Sequence, residues 1–227
     1  METNPNLSCV KSALFMNFGC SFFLEKEKRG HASNPFRRLI ELTKNGVDPT
    51  MTIALQPFDN ETEELVAFLT SQPWPFHGNP NPSEDSIRDG AANGRYDGEE
   101  TKTYWIVEDG ETIGLIRLFD LGDPTPVFDI RIDAGRRGRG FGTTALRLLA
   151  DHVFAAFPDK MRFEGHTRAD NYAMRKAFAK AGFVKEAYHR KAWPTEGKYY
   201  DSVGYSLLRE DWAEGKISPI DWNDFPY

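Results

Sequence analysis

Cysteine is nearly absent from this chain. Of its 227 residues only Cys9 and Cys20 are cysteines, and both precede every segment with a regular pattern. No disulfide can therefore staple the body of the protein, and a reducing, cytoplasmic setting is expected. Long apolar runs are missing too. The stretch Ala13 to Leu24 is broken by Asn17, Gly19 and Ser21 and falls short of the ~20 residues a helix needs to cross a bilayer, so a membrane span is not expected. With Lys11 before it the stretch has the outline of a signal core, but no disulfide framework accompanies it. An excess of basic charge is also lacking: 28 Lys and Arg stand against 34 Asp and Glu, a net charge of -6. General nucleic-acid binding depends on neutralising many phosphates, and this balance excludes it as a class. Internal repeats and low-complexity tracts are absent as well.

What is present is enough to bury a core, with 40% apolar and 13% aromatic residues. One catalytic domain of ordinary size plus an extension is expected. Residues 1–50 lack periodicity. They read as an N-terminal extension: disordered chain, a start assigned upstream of a true first residue at Met51, or a regulatory or dimer-forming arm. From Met51 the pattern becomes regular. A strand over Met51 to Phe58 leads to a helix over Glu61 to Thr70, stopped by Pro73 and Pro75, and a weaker helix runs from Ser83 to Asn93. Thr103 to Val107 and Glu111 to Leu118 read as a hairpin about Asp109-Gly110. A strand over Val127 to Ile132, a helix over Gly142 to Phe157, a strand over Met161 to Thr167 and a helix over Asn171 to Ala181 follow, and Ser202 to Leu208 supplies a last strand. An α/β (α+β) fold follows, a mixed sheet flanked by helices. Residues 216–227 form an aromatic C-terminal tail.

The richest stretch is Arg136-Arg137-Gly138-Arg139-Gly140-Phe141-Gly142-Thr143-Thr144, set between a strand and a helix. Alternate glycines let the backbone turn tightly with its N–H groups exposed, and the helix that follows adds positive potential at its N-terminus. An anion such as a diphosphate suits that place. Two phosphate loops do not fit. The Walker loop needs Lys after its last Gly, where Thr143 stands, and the dinucleotide fingerprint needs a third Gly at the same position.

Arg137, Gly140 and Gly142 do match the Arg/Gln-x-x-Gly-x-Gly/Ala signature of the GNAT superfamily of acyl-CoA-dependent N-acyltransferases. Downstream, Thr167-Arg168-Ala169-Asp170-Asn171 and the helix ending at Gly182-Phe183 resemble the segment that closes that family's cofactor site. The resemblance covers about Met51 to Trp212, so residues 51–215 are taken as the domain. It is nearest to the branch holding ribosomal-protein N-terminal acetyltransferases and small-molecule acetyltransferases. It implies a pair of splayed parallel strands forming an acyl-CoA cleft, with acetyl-CoA as cosubstrate and no metal. By the same resemblance Ile130, Arg131 and Ile132 offer backbone groups to the pantetheine arm. Arg137, Gly138, Arg139, Gly140, Gly142 and Thr143 face the pyrophosphate, Asn171 bonds the pantetheine amide and Arg175 reaches the phosphates. Phe178 occupies the position at which many members carry a proton-donating Tyr, so solvent or Tyr172 has to serve as acid.

Three strand residues are candidates for the general base: Asp129, Glu164 and His166. Asp129 shares a face with Arg131, and Glu164 with His166, because side chains alternate along a strand. Nothing in the sequence decides among them. Trp74, Phe76 and His77, with Trp193 from a late loop that also holds Arg190, Ala192 and Pro194, are the candidates for the acceptor wall. These residues point to acetyl transfer to a small-molecule amine by direct reaction in a ternary complex. A peptide N-terminus as acceptor and a catalytically silent acyl-CoA-binding module remain alternatives, and a homodimer is allowed.

Overall fold

Apolar residues that alternate along β-strands set the two faces of this molecule before any helix is added. The computed structural model describes residues 40–41 and 53–222, all within the compact unit Asn34–Tyr227. The remaining expectations for residues 1–50, and for the end of the aromatic tail, lie outside the described residues. On β3 (Lys102–Glu108), Tyr104 and Ile106 enter one apolar cluster and Trp105 the other. On β4 (Glu111–Phe119), Ile116 and Leu118 join the first and Leu115 the second.

The chain order is β1 (Ile40–Glu41), β2 (Ile53–Pro57), α1 (Thr62–Thr70), α2 (Glu84–Ala92), β3, β4, β5 (Val127–Ile132), α3 (Phe141–Ala156), β6 (Arg162–Arg168), α4 (Tyr172–Lys180), β7 (Val184–Thr195), β8 (Lys198–Leu208) and α5 (Arg209–Glu214). The strands form one mixed sheet in the order β1-β2-β3-β4-β5-β6-β8-β7. The α1–α2 pair covers the face that carries Trp105 and Leu115, through Leu65, Val66, Leu69 and Ile87. Helices α3 and α4 cover the other face. There Ala145, Leu146, Leu149, Val153 and Phe178 meet Phe128, Phe163 and Tyr205. Burial of each large side chain contributes about 1.5–3 kcal/mol.

The expected mixed sheet with flanking helices is therefore present, and most element boundaries lie within two residues of their expected places. Turn chemistry explains the hairpins. Asp109 and Gly110 take φ of +50° and +88°, the left-handed pair that a two-residue turn requires. Glu196 and Gly197 repeat it at +49° and +74°. This second hairpin corrects the expectation of a late loop: Arg190, Ala192, Trp193 and Pro194 belong to β7, paired along β8. β7 is an edge strand, exposed over half of its length and interrupted by two register shifts. An edge strand needs no apolar alternation and tolerates Lys and Pro, which is why its sequence does not read as a strand. Upstream of Met51, Ile40 and Glu41 pair with Leu55 and Ala54.

Candidate active site

Strands β5 and β6 are the parallel pair, and they stay together for one register position only, Val127 with Glu164, before they part. On its other side β5 remains paired with β4 along its whole length, from Val127 to Ile132. Ile130, Arg131 and Ile132 thus have no partner on β6, which leaves an open edge within the sheet, with Ile132 O accepting from the Arg137 side chain. Peptide N–H and C=O groups are obligatory hydrogen-bonding partners, so such an edge is a ready seat for an extended amide-bearing chain.

Past the end of β5 a short 3-10 turn, Ala134–Arg136, brings the chain round to α3. Gly138 and Gly140 have φ of +79° and +93°, a region that residues with a Cβ rarely adopt. A Cβ built on Gly138, Gly140 or Gly142 would meet nothing within 4 Å, so the missing side chains leave open space in front of the loop. Gly140 occupies the cap position of α3, and no side chain takes over the capping role. The first N–H groups of a 16-residue helix are left pointing into that space, where an anion is stabilised by hydrogen bonds and by the helix dipole.

A cavity of about 380 Å³ runs from this loop along β5 to the segment Trp74–His77. That segment is tied down from both sides. Trp74 is 1% exposed, and its Nε1–H donates to Leu69 O at 2.8 Å. Arg131 and Arg137 lie over its ring at 5.3 and 5.6 Å. From β6, Arg168 donates to Pro75 O at 2.9 Å, covers the Phe76 ring and holds Asp170 with two bonds of 3.0 and 2.6 Å. His77 Nδ1 lies 2.9 Å from Asp129 Oδ1 on β5, and Arg131 Nε lies 3.4 Å from the other oxygen. Burial alone would push the Asp129 carboxyl up. The charge and hydrogen bond of His77, with Arg131 and Arg117, outweigh that and hold it well below the usual carboxylate range.

A family model described as an acetyltransferase (GNAT) domain matches residues 52–184, which span the open edge, the glycine loop and α4. The chain belongs to the GNAT acetyltransferase family. It is an acetyl-CoA-dependent N-acetyltransferase of that family. Among solved structures, RimL, a ribosomal L7/L12 alpha-N-protein acetyltransferase in complex with coenzyme A, is 20% identical with a TM-score of 0.62, covering 75% of this chain and 98% of that one. RimJ of Mycobacterium smegmatis, in complex with a CoA disulfide, is 18% identical with a TM-score of 0.62, covering 70% and 83%. Spermidine N-acetyltransferase from Vibrio cholerae, in complex with CoA and spermine, is 18% identical with a TM-score of 0.61, covering 71% and 98%. At these identities the likeness establishes the fold. A search of curated proteins finds no match.

The cavity gathers many of the residues singled out from the sequence and leaves others apart. Ile130, Arg131, Ile132, Arg137, Gly138, Gly140, Gly142, Thr143 and Asn171 line the cavity together with Trp74, Phe76 and His77. Arg137 Nε–H donates to Ile132 O at 2.9 Å, so its side chain braces the loop. Asn171 caps α4, accepting from Met174 N at 3.2 Å and donating to Thr167 Oγ1 at 3.0 Å. Arg139 is not a lining residue; it lies 3.7 Å from the buried Glu108 and over the Phe141 ring. Arg175 is turned away from the cavity, donating to Ala169 O at 2.7 Å. Phe178 is a core residue, 1% exposed and stacked on Tyr205 at 4.6 Å, where the absence of a side chain at Gly165 leaves it room. Trp193, paired with Tyr200, is outside the lining.

Lys176 and Lys180 line the cavity, and sequence reasoning missed them. Ala173, Lys176, Ala177 and Lys180 follow the i, i+3, i+4, i+7 spacing of one helix face, which is the signal that finds them. Glu164 and His166 sit on a partly exposed network: His166 lies 3.2 Å from Glu164, while Arg162 holds Glu164 at 2.9 Å and Glu186 at 2.7 Å. Tyr172 is 73% exposed. Among the described residues no group of three or more His, Cys, Asp or Glu is placed to hold a metal ion, and no helix is long and apolar enough to cross a membrane.

Proposed function

We propose that this GNAT enzyme acetylates the primary amine of a small molecule, by direct transfer from acetyl-CoA in a ternary complex. The observation that carries the reading is the single cavity joining the glycine loop to the fixed aromatic wall of Trp74 and Phe76. The residues present suit coenzyme A: open space before Gly138, Gly140 and Gly142, uncapped α3 N–H groups, and Lys176 and Lys180 on the facing helix. Bound there as acetyl-CoA, it would supply the acetyl thioester. The loop N–H groups would hold the pyrophosphate, the lysines would add charge-assisted bonds, and the free edge of β5 would align the arm beside the acceptor. Preorganised donors near the reacting carbonyl stabilise charge that develops on its oxygen.

Two features favour a small acceptor. The wall is rigid, because Trp74 is buried and Arg168 clamps Pro75 and Phe76. Its nearest carboxylate, Asp129, is already held by His77 and Arg131, so the acceptor end offers aromatic surface in place of an anionic seat for a polycation. The structural likeness extends equally to RimL, whose acceptor is a protein N-terminus, and to spermidine acetyltransferase, and this keeps a peptide acceptor as the second reading. Thiol release from acetyl-CoA, measured across polyamines, aminoglycosides, amino-acid amides, arylamines and N-terminal peptides, tests the proposal. Turnover of a compact aromatic amine above the peptides is the expected result; turnover confined to peptides overturns it, as does tight coenzyme A binding with no turnover.

A further inference from the structure

The contact between His77 and Asp129 goes beyond what a wall requires. Their side chains are 19% and 23% exposed and 2.9 Å apart, Nδ1 to Oδ1. In a histidine–carboxylate pair of this geometry the Nδ1 proton is donated to the carboxylate, which fixes the tautomer and leaves the lone pair on Nε2. Among the described residues Nε2 makes no hydrogen bond. His77 lines the same cavity as Ile130 and Ile132, strand residues without a partner on β6 and the proposed seat of the thioester arm. The backbone bond from His77 N to Trp74 O, at 3.0 Å, and the edge-on packing of the two rings at 6.1 Å fix the imidazole to a buried anchor. We propose that His77 is the general base of this acetyltransferase and that Asp129 is the residue that positions it.

The inference rests on acetyl transfer to an amine at this site. As the acceptor nitrogen forms its bond to the acetyl carbon, His77 Nε2 takes one proton from that nitrogen. As the carbon–sulfur bond breaks, the imidazolium returns that proton to the departing sulfur, leaving an amide, a thiol and a neutral histidine. Asp129 stays ionised throughout and stabilises the imidazolium. The charged groups around the pair support this division of labour. Arg131 from β5 and Arg117 from β4 act on Asp129 by charge and help keep it anionic. On the β6 side the nearby cation, Arg168, is neutralised by Asp170. Glu164 and His166, further along β6, are tied to each other and, through Glu164, to Arg162. One oxygen of Asp129 is taken by His77 and the other faces Arg131, so the carboxylate is placed to orient the imidazole and not to receive the acceptor's proton.

The test uses the full-length protein, with acetyl-CoA as donor and, as acceptor, the panel amine that turns over fastest, alongside benzoic hydrazide, whose terminal nitrogen is uncharged at mildly acidic pH. His77→Gln and His77→Ala are expected to bind coenzyme A as the wild type does, by calorimetry, and to lose about 100-fold in kcat. The acid limb of the pH–rate profile should vanish with them, and added imidazole should restore part of the rate of His77→Ala. Asp129→Asn should lower kcat while nitrogen NMR of His77 shows the proton moving off Nδ1. Retention of kcat within about threefold in His77→Gln, or a wild-type imidazole protonated on Nε2 alone, overturns the proposal. If wild type binds coenzyme A but releases thiol with no amine and no hydrazide, acetyl transfer itself fails at this site, and the inference with it.

Discussion

The two ends of the cavity are built by different means. At the end proposed for coenzyme A the work falls to main chain: one open strand edge, three glycines and the first turn of α3, all within residues 130–143. At the acceptor end it falls to side chains brought from distant parts of the chain, Trp74 and His77 from the loop after α1, Asp129 and Arg131 from β5 and Arg168 from β6. A backbone site is specified by where glycine stands and where a helix begins, and it tolerates wide change elsewhere. A side-chain site is specified residue by residue and can be rebuilt for a new acceptor without touching the first. The two should therefore fail separately.

The sharpest way to separate them is Gly142→Asp. Its φ is not in the left-handed region, and a Cβ there meets nothing, so the fold should accept the side chain. The carboxylate would face the pyrophosphate from inside the cradle. Affinity for coenzyme A should fall by about a thousandfold, ~4 kcal/mol, with thermal stability unchanged, and calorimetry beside a melting curve reads both. Gly140→Asp should lose the same affinity and also melt earlier, because its φ of +93° strains any side chain. Undiminished affinity in Gly142→Asp would break the assignment of the loop.

Trp74→Ala attacks the other end. Removing a large side chain that is 1% exposed should cost about 3 kcal/mol of stability and release Pro75, Phe76 and His77 from their anchor. KM for the acceptor should then rise far more than Kd for coenzyme A. An equal loss in both would mean that the two ends share one support.

That division also explains what the sequence disclosed. The glycine loop, the strand before it and the helix after it are contiguous, so residue type and order carry the whole signal, and Asn171 could be placed by its position ahead of α4. The mixed sheet was legible because β2, β3 and β4 are short apolar runs, buried along their length between helices on both faces. β7 was not, since an exposed edge strand carrying Lys and Pro leaves no periodicity to see. The pairing of His77 with Asp129 joins positions 52 residues apart (129 − 77), and no local pattern announces a contact of that kind. Phe178 was visible as a departure from the family pattern, but only packing shows it stacked on Tyr205 in the core.

Acid titration sharpens the comparison further. The Asp129 carboxyl ionises more readily in the folded chain than at its ordinary value of 3.8, so the folded state binds fewer protons there than the unfolded state does. The stability this contributes is fully present above the unfolded value and is lost as pH falls below it toward the depressed folded value. Asp129→Asn should be about 2 kcal/mol less stable than wild type at neutral pH. Denaturant unfolding should show that gap closing as pH is taken below the ordinary carboxylate range. A gap that stays constant with pH would mean that the charge of Asp129 does nothing for the acceptor end.

The smallest effect expected is at Glu164, and it decides most cleanly between two ways of finding a base. By residue type and strand position Glu164 is as good a candidate as Asp129. In the folded protein it is held by Arg162 and His166 on a partly exposed network, and neither Glu164 nor His166 lines the cavity. A pair of that kind contributes no more than about 1 kcal/mol, so Glu164→Gln should leave kcat within about twofold of wild type and the pH–rate profile in place. A loss of a hundredfold or more would move the base from the loop after α1 to β6. The acceptor would then have to enter along the sheet face beside β8, where Ser206 and Gly204 pair with Glu164 and His166, and Trp74 would be left as structure alone.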